Sequence, residues 1–302
     1  MIHRLKRVLL PGLGILLASS AVPALAQDNG EDVGREIVVQ GKRTNEKTVI
    51  TEMARDITRR PRTDQPLSRR YNAVCLGVFG LKPEAAVTLI QRVETNLAEL
   101  DIRTAGEGCK VNSLVAIVRD APETVKTLQD REPQLFEGML DYEIDRIFKG
   151  SSGAQAWQTT EVKGADGRSF QTISFGNPPR NVTMNKQIQT GRTVRQIRAD
   201  IVGSIVLFDI DQVSDKTLQQ LADYATMRLV APTGDFARDD GAIPSILTLF
   251  AQDAMPPAEM TSFDWAYLKA LYKLPATASG SSIRDATWTA YRQNSREVET
   301  AD

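Results

Sequence analysis

The chain of 302 residues carries 37 Lys and Arg against 38 Asp and Glu, which gives a formal net charge of −1. This near equality of positive and negative charges gives no support to a nucleic-acid or anionic-membrane partner. Hydrophobic residues make up 41% of the chain and charged residues 25%, proportions that are typical of globular proteins. The length is enough for one or two hydrophobic cores.

Residues 1–26 have the pattern of a secretory signal. A basic start precedes an apolar run from Val8 to Val22, and Ala24-Leu-Ala26 supplies the small residues of a cleavage site. Cleavage after Ala26 would remove three basic residues and no acidic ones, which changes the net charge from −1 to −4. No lipid-anchoring Cys follows, and the apolar run is too short and interrupted to span a bilayer comfortably. We therefore expect a periplasmic or secreted protein without a membrane span.

The only histidine, His3, lies inside this predicted signal. The mature chain would then have no imidazole for a Ser-His-Asp triad, a Cys-His pair or a histidine-ligated zinc ion. We predict neither a metal nor another cofactor.

The two cysteines, Cys75 and Cys109, predict a disulfide, because an even number of cysteines in an oxidising compartment normally pairs. Closing a loop of this length would remove unfolded-state entropy equivalent to roughly 3.5 to 4 kcal/mol. A redox pair is disfavoured, because the spacing differs from C-x-x-C and no His is present to lower a thiol pKa.

Residues 27–70 are polar and charged, which predicts a linker. Its basic cluster runs from Arg55 to Arg62 and continues in Arg69 and Arg70, and we expect these side chains to be solvated. Folded structure is expected to begin near Tyr71.

Residues 71–150 predict a β-α-β region. Two apolar runs, Ala73–Phe79 and Ser113–Val118, have the composition of strands, and between them Pro83 opens a helix. That helix has one apolar face at helical spacing, formed by Ala86, Ile90, Val93, Leu97 and Leu100. The predicted disulfide would join the first strand to the approach of the second.

A further helix is predicted from about Gln134 to Phe148. The Gly- and Ser-rich segment Lys149–Gly153 then predicts a boundary with a second region, residues 151–275.

Within the second region, two β-prone runs, Ala156–Val162 and Ser169–Phe175, are separated by Asp-Gly, which predicts a hairpin. Residues 276–302 are polar and predict a frayed tail with a short helix around Trp288 and Tyr291.

An apolar strand, Ser204–Asp209, is followed by a helix predicted from an Asp215 N-cap to Leu229. Its inward positions are expected to be apolar: Leu218, Leu221, Ala222, Ala225 and Leu229.

Zinc metalloproteases carry H-E-x-x-H on such a helix, because two His residues four positions apart can bind one metal while the Glu activates water. In this chain Gln220 and Tyr224 occupy the two ligand positions and Leu221 occupies the general-base position. None of the three side chains can perform that chemistry.

Two downstream segments strengthen the likeness. Ser245-Ile-Leu-Thr-Leu-Phe250 resembles the Met-turn of metzincins, with Leu247 where methionine would be. Thr261 to Tyr272 resembles the closing helix of matrixin-like zincins, with Thr261 and Asp264 as a capping-box variant. From Arg59-Arg-Pro-Arg62 onward, the chain also resembles a group of secreted alphaproteobacterial proteins, a resemblance that implies no activity.

These resemblances imply an α+β fold: a disulfide-stapled β-α-β region, then a zincin-like mixed sheet with an active-site-type helix and a closing C-terminal helix. They imply a degenerate zincin without peptidase activity. Such a protein would keep a groove beside a sheet edge, where an extended peptide or an envelope protein could bind by strand addition.

An alternative function comes from Phe208-Asp-Ile-Asp-Gln-Val213, which resembles the first motif of haloacid-dehalogenase-type phosphatases. That resemblance implies a Mg²⁺-dependent hydrolase with Asp209 as nucleophile and Asp211 as acid and base, and with Asp239 and Asp240 as a later acidic pair. The alternative, structural interpretation is that Asp209, Asp211 and Asp215 lie in the loop before a helix. There they would cap the helix start, where negative charge is stabilising.

Overall fold

A computed structural model gives the structure of the chain. It describes residues 45–59, 65–149, 153–175, 180–184, 196–234, 243–251 and 255–301. The described residues belong to one compact unit, Thr44–Asp302. The predicted signal and the first part of the predicted linker lie outside the described residues.

The first part of this unit mixes helices and strands, a run of consecutive strands then follows, and the last part is helical. The helices are α1 (Glu46–Ile57), α2 (Pro83–Ala98), α3 (Ala121–Arg131), α4 (Asp141–Phe148), α5 (Ile210–Val213), α6 (Leu218–Val230), α7 (Ser262–Lys273) and α8 (Ser282–Ala301), with 3-10 helices at Pro133–Phe136 and Ile246–Thr248. The strands are β1 (Ser68–Arg69), β2 (Leu76–Phe79), β3 (Ser113–Val118), β4 (Ala154–Gly164), β5 (Gln171–Phe175), β6 (Arg180–Met184) and β7 (Ile197–Asp209).

Strand β7 lies at the centre of the main sheet. β4 runs antiparallel along one edge of β7, whereas β1 and β3 pair in parallel with successive parts of the other edge. β2 pairs in parallel with β3, and β5 and β6 form a separate antiparallel pair. The prediction of a mixed fold of α and β elements is confirmed.

The predicted β-α-β region is present as β2, α2 and β3. Cys75 precedes β2 and forms a disulfide with Cys109, 34 residues later, so the predicted pairing is confirmed. The side chain of Asn112 reinforces this junction: its Oδ1 accepts a hydrogen bond from Cys75 N at 3.1 Å. The disulfide therefore fixes the start of β2 against the segment that leads into β3.

Helices cover both faces of the sheet, because successive side chains of a strand point to opposite faces. Val206 and Phe208 of β7 belong to the larger core, which also contains residues of α1, α2, α6, α7 and α8. Ile205 and Leu207 belong to a smaller core with residues of α3 and α4. In the smaller core the Trp157 ring stacks on Phe136, with ring centroids 5.1 Å apart.

The predicted hairpin of Ala156–Val162 with Ser169–Phe175 is wrong. A turn is present, with Gly167 at a φ of 85° and Gly164 N donating to Arg168 O, but it does not join paired strands. β4 pairs instead with β7 along its whole length, and β5 pairs with β6. Pairing with the central strand buries the apolar first half of β4, a gain that the local turn pattern cannot indicate.

The predicted linker is also wrong over its last part, because Glu46–Ile57 form the helix α1 ahead of Tyr71. Asn45 caps this helix by accepting a hydrogen bond from Lys47 N. Ile50, Ala54 and Ile57 then face the core at helical spacing and are fully or almost fully buried.

The prediction that Arg69 and Arg70 are solvated is wrong as well, since only 4% and 3% of their surfaces are exposed. Arg69 donates to Leu271 O at 2.7 Å, and Arg70 donates to Ser204 Oγ at 2.7 Å. Neutral backbone and hydroxyl oxygens thus accept hydrogen bonds from two side chains whose sequence context suggested exposure to solvent.

Two further helix predictions need correction. The predicted helix at 134–148 is interrupted at Gly138, whose φ of 78° ends the 3-10 helix before α4 begins. The predicted frayed tail contains the 20-residue helix α8. Ile283 of α8 is completely buried, so the helix packs as part of the core.

The two predicted regions share one sheet, because β7 of the second region pairs in parallel with β3 of the first. The segment near residue 150 therefore joins parts of one structural unit. Among the described helices, none combines the length and apolar character needed to cross a bilayer.

Candidate functional site

Helix α6, on which a zincin would carry its metal ligands, begins at Leu218 with Thr217 as N-cap. Thr217 Oγ1 accepts from Gln220 N at 3.1 Å, and Gln220 Oε1 accepts from Thr217 N at 3.0 Å. This reciprocal capping box satisfies two backbone donors. The predicted N-cap, Asp215, is wrong: its exposed carboxylate forms an ion pair with Lys216.

The two polar positions of the zincin-like frame have structural roles. Besides capping the helix, Gln220 donates from Nε2 to Pro257 O at 2.9 Å, so its amide joins α6 to the segment before α7. Leu221, at the general-base position, is 2% exposed and belongs to the core.

Tyr224 is 3% exposed and lies in an aromatic cluster. Its ring meets Phe250 edge-on with centroids 5.2 Å apart, and Phe208 at 5.8 Å. The cluster is tightly packed against the backbone, because a Cβ added to Gly153 would lie 2.0 Å from the Phe250 ring. Packed aromatic rings thus occupy the space beside Tyr224.

The segment predicted to resemble a Met-turn lies next to α6 through the same Phe250 contact. Leu247 is 3% exposed on the 3-10 helix Ile246–Thr248, which Ser245 caps. The structure therefore brings the turn and the helix together, but Gln220 and Tyr224 are buried and do not line an open groove.

The buried carboxylate of Asp264 joins this turn to α7. It accepts hydrogen bonds from Ser245 Oγ at 2.5 Å, Ile246 N at 2.8 Å and Thr261 N at 2.9 Å. Burial raises the pKa of Asp264, although these hydrogen bonds oppose the shift. The predicted capping box of Thr261 and Asp264 is present.

Asp223, a buried carboxylate on α6, is a residue that the sequence analysis missed. Arg92 of α2 donates to it twice, at 2.7 and 2.8 Å, Asn96 donates at 2.7 Å, and Met260 N donates at 2.9 Å. Asp223 therefore joins α6 to α2 and to the approach of α7. Its place between two buried residues, Ala222 and Tyr224, was the available signal.

The acidic residues of the alternative function do not form a described cluster. Asp209 caps the short helix α5 by accepting from Asp211 N at 3.0 Å, as the structural interpretation predicts. Asp239 and Asp240 lie outside the described residues. Within the described ranges, no group of three or more His, Cys, Asp or Glu side chains could hold a metal ion.

β4 is one of the edge strands of the main sheet, since β7 is its only neighbouring strand among the described residues. At one end of this pairing Asp209 N donates to Gly153 O at 3.1 Å, and beyond the other end Ala165 N donates to Gln196 O at 2.9 Å. In an antiparallel pair, residues whose N–H and C=O groups face the partner strand alternate with residues whose groups face away. These two contacts therefore define which residues of β4 face outward.

The outward-facing backbone groups belong to the even-numbered residues, including Gln158, Thr160 and Val162. The one irregularity in the pairing places the extra residue, Val202, on β7, so the alternation along β4 is not interrupted. No backbone hydrogen bond between described residues uses the outward N–H or C=O groups of these three positions.

A narrow cleft lies beside this outer edge and encloses about 70 Å³. Ala156 O, at the start of the edge, accepts weak hydrogen bonds from Arg59 at 3.5 Å and Arg228 at 3.4 Å. The cleft is lined by residues that include Arg59, Ser68, Gly138, Glu143, Gln158 and Thr160. Thr160 itself is exposed. Gln158 is buried and Val162 is partly exposed, so the open part of the edge lies at Thr160 and Val162.

Comparison of the chain with family models, with curated proteins and with solved structures finds no match in any of the three.

Proposed function

We propose that the chain is an exported, non-catalytic binding protein that holds an extended peptide segment of a partner, such as an envelope protein, along the outer edge of β4. The observation that carries this proposal is the row of outward N–H and C=O groups at Gln158, Thr160 and Val162, beside a cleft. A peptide that adds a strand would satisfy these groups, and its alternate side chains would face the cleft.

The lack of catalysis is proposed from the packing of α6. The residues at the zincin ligand and general-base positions cap the helix or fill the core, and neither of the two described cavities is lined by them. A descent from zincins remains part of the proposal. It is supported by the order of β7, α6, the 3-10 turn and α7, and by the Phe250–Tyr224 contact. The disulfide, and the lack of a membrane-spanning helix among the described residues, are compatible with an extracytoplasmic location.

Substitution of Thr160 by Pro tests the binding edge. Proline would remove the outward N–H and place a ring on the edge, but it would leave the hydrogen bonds between β4 and β7 intact. The matched control, Thr160→Val, changes the side chain and keeps the N–H. Peptides selected from a phage-displayed random library should bind the wild type and Thr160→Val equally. We expect Thr160→Pro to weaken them at least tenfold.

Hydrogen exchange adds a test that needs no ligand. The amide of Thr160 should exchange much faster than the inward amides of Thr159 and Glu161, because only the inward amides require opening of the sheet. Equal protection of these amides, or peptide binding that Thr160→Pro leaves unchanged, would rule out the edge as the binding site. Peptide cleavage that requires zinc and that a chelator stops would overturn the non-catalytic part of the proposal.

A further inference from the structure

A second recess lies on the face of the sheet that carries the smaller core, near the start of β3. It encloses about 530 Å³, a volume within the range of small-molecule sites. Its lining is mainly apolar and includes Val111, Leu114, Leu135, Trp157, Gly203 and Ile205. A recess of this size and character is distinct from the narrow cleft at the β4 edge.

The recess has a clear structural origin in the irregularity of β7. Thr159 lies opposite Gly203 and Thr160 lies opposite Ile201, so Val202 is an extra residue that bends the strand. A Cβ at Gly203 would lie 2.4 Å from Thr159 Oγ1, so a larger residue at this bend would require Thr159 to change its side-chain rotamer. The bulge and the missing side chain together leave the sheet surface uncovered.

The walls of the recess are held rigidly. Trp157 Nε1 donates to Leu135 O at 3.0 Å, so the indole is fixed to the 3-10 helix that covers one side. On the opposite side, residues 110–112 follow directly after the disulfide at Cys109. A preformed apolar recess binds ligands without a large ordering cost.

The charged side chain that lines the recess is positive. Its lining contains Lys110, which is exposed, and no Asp or Glu. On the opposite face of the sheet, which carries the larger core, the buried Arg70 donates to Ser113 Oγ at 2.9 Å, Ser204 Oγ at 2.7 Å and Val202 O at 3.3 Å.

No carboxylate accepts a hydrogen bond from Arg70 within the described part of the chain, and its Nε is unpaired there. Burial lowers the pKa of Arg70 to about 10, so the guanidinium remains charged at neutral pH. A buried charge whose partners are all neutral favours an anion nearby.

We propose that this recess binds a small amphipathic monocarboxylate, such as a medium-chain fatty acid. Its apolar body would lie against Leu114, Trp157 and Ile205, and its carboxylate would lie at the rim near Lys110. The apolar lining favours a hydrocarbon group, and the charge of Lys110 at the rim, with that of Arg70 across the sheet, favours an anionic head group over a neutral one.

The test compares decanoate with decanol, which share a hydrocarbon chain and differ in charge. The protein carries Trp265→Phe and Trp288→Phe, so that Trp157 supplies the tryptophan fluorescence. A bromine-labelled analogue of each ligand should quench Trp157, because bromine quenches an indole only at contact distance. We expect decanoate to bind more tightly than decanol at low ionic strength, where surface charge is least screened.

Three variants separate the contributions. Lys110→Met should weaken decanoate about twofold to fivefold and leave decanol unchanged, because it removes one exposed charge. Lys82→Met, a control on an exposed lysine outside the recess, should change neither ligand. Leu114→Trp should fill the recess and remove the binding of both ligands, and circular dichroism would check that it folds.

Two results would overturn the proposal. Equal binding of decanoate and decanol, with no effect of Lys110→Met, would show that the recess does not select an anion. Absence of Trp157 quenching by either brominated ligand would show that the recess is not a site for such molecules. Neither result bears on peptide binding at β4, which the Thr160 variants test independently.

Discussion

Replacement of Asp223 by Ala should destabilise the protein by about 3 kcal/mol, because this carboxylate joins three parts of the larger core. The side chain is completely buried. Four hydrogen bonds end on its two oxygens, from Arg92, Asn96 and Met260 N. Alanine would leave the Met260 N–H without its acceptor, and the Asn96 amide would keep only its hydrogen bond to Thr226 Oγ1.

The size of this loss in stability depends on how well water can reach each donor that loses the carboxylate. Removal of one partner from a buried charged pair costs about 3 to 5 kcal/mol. The Arg92 side chain is 29% exposed and can regain contact with water, so the lower end of that range applies. For a domain of this size, the loss corresponds to a fall in Tm of roughly 6 to 12 °C.

Urea unfolding of the wild type and the variant measures the difference, and an unchanged m value would show that the unfolded states are alike. Glu259→Gln is the matched control. The Glu259 side chain is 58% exposed and also forms an ion pair with Arg92. Loss of its charge should therefore cost less than about 1 kcal/mol. A change of less than 1 kcal/mol for Asp223→Ala would refute the assignment of α6 as a helix fixed by this carboxylate.

Three other outcomes are expected. Tyr224→Ala should lower the free energy of unfolding by about 3 to 5 kcal/mol in urea, because the ring fills the core; a surface-like loss below 1 kcal/mol would contradict its packing. Burial raises the pKa of Asp264 in the folded state, so the wild type should lose stability as pH rises from the ordinary carboxyl pKa through the raised one. The stability advantage of the wild type over Asp264→Asn should therefore shrink with rising pH. An advantage that grows with pH would mean that the folded-state pKa of Asp264 is lowered instead of raised. Replacing Cys75 and Cys109 by Ala should lower the free energy of unfolding by about 4 kcal/mol, because the disulfide closes a loop with a separation of 34 residues. Guanidinium unfolding with and without reductant measures this loss, and a much smaller loss would contradict the prediction.

Local patterns predicted the parts of the fold that depend on neighbouring residues. The β-α-β unit follows from two apolar runs around a Pro-initiated helix, and the Thr261 cap follows from the residue three positions later. The disulfide follows from the even number of cysteines together with the predicted export of the chain. Each of these features is encoded within a few tens of residues, so a single sequence is enough to indicate it.

Features that depend on distant partners could not be predicted in this way. The pairing of β4 with β7 joins segments separated by β5 and β6, and it overrides a strong local turn signal. Arg69 and Arg70 are basic residues whose burial depends on oxygens supplied by residues about 130 to 200 positions later. The face of α1 formed by Ile50, Ala54 and Ile57 was visible at helical spacing, but the charged residues around it suggested a linker.

The candidate sites show the same division. The zincin-like positions could be numbered from the sequence, but only the structure shows that Gln220 caps a helix and that Tyr224 packs against Phe250. The outward groups of β4 and the recess beside Gly203 depend on strand register and on a bulge, neither of which leaves a distinctive local pattern.

The central position of β7 has a consequence for how the chain must be made. β1, β3 and β4 all precede β7 in synthesis, and each of them needs it as a neighbour. Until residues 197–209 emerge, these strands have exposed edges and no common template, a condition that favours aggregation over productive assembly. The protein should therefore depend on chaperone protection during biosynthesis, and a nascent chain that ends before β7 should be a substrate for degradation.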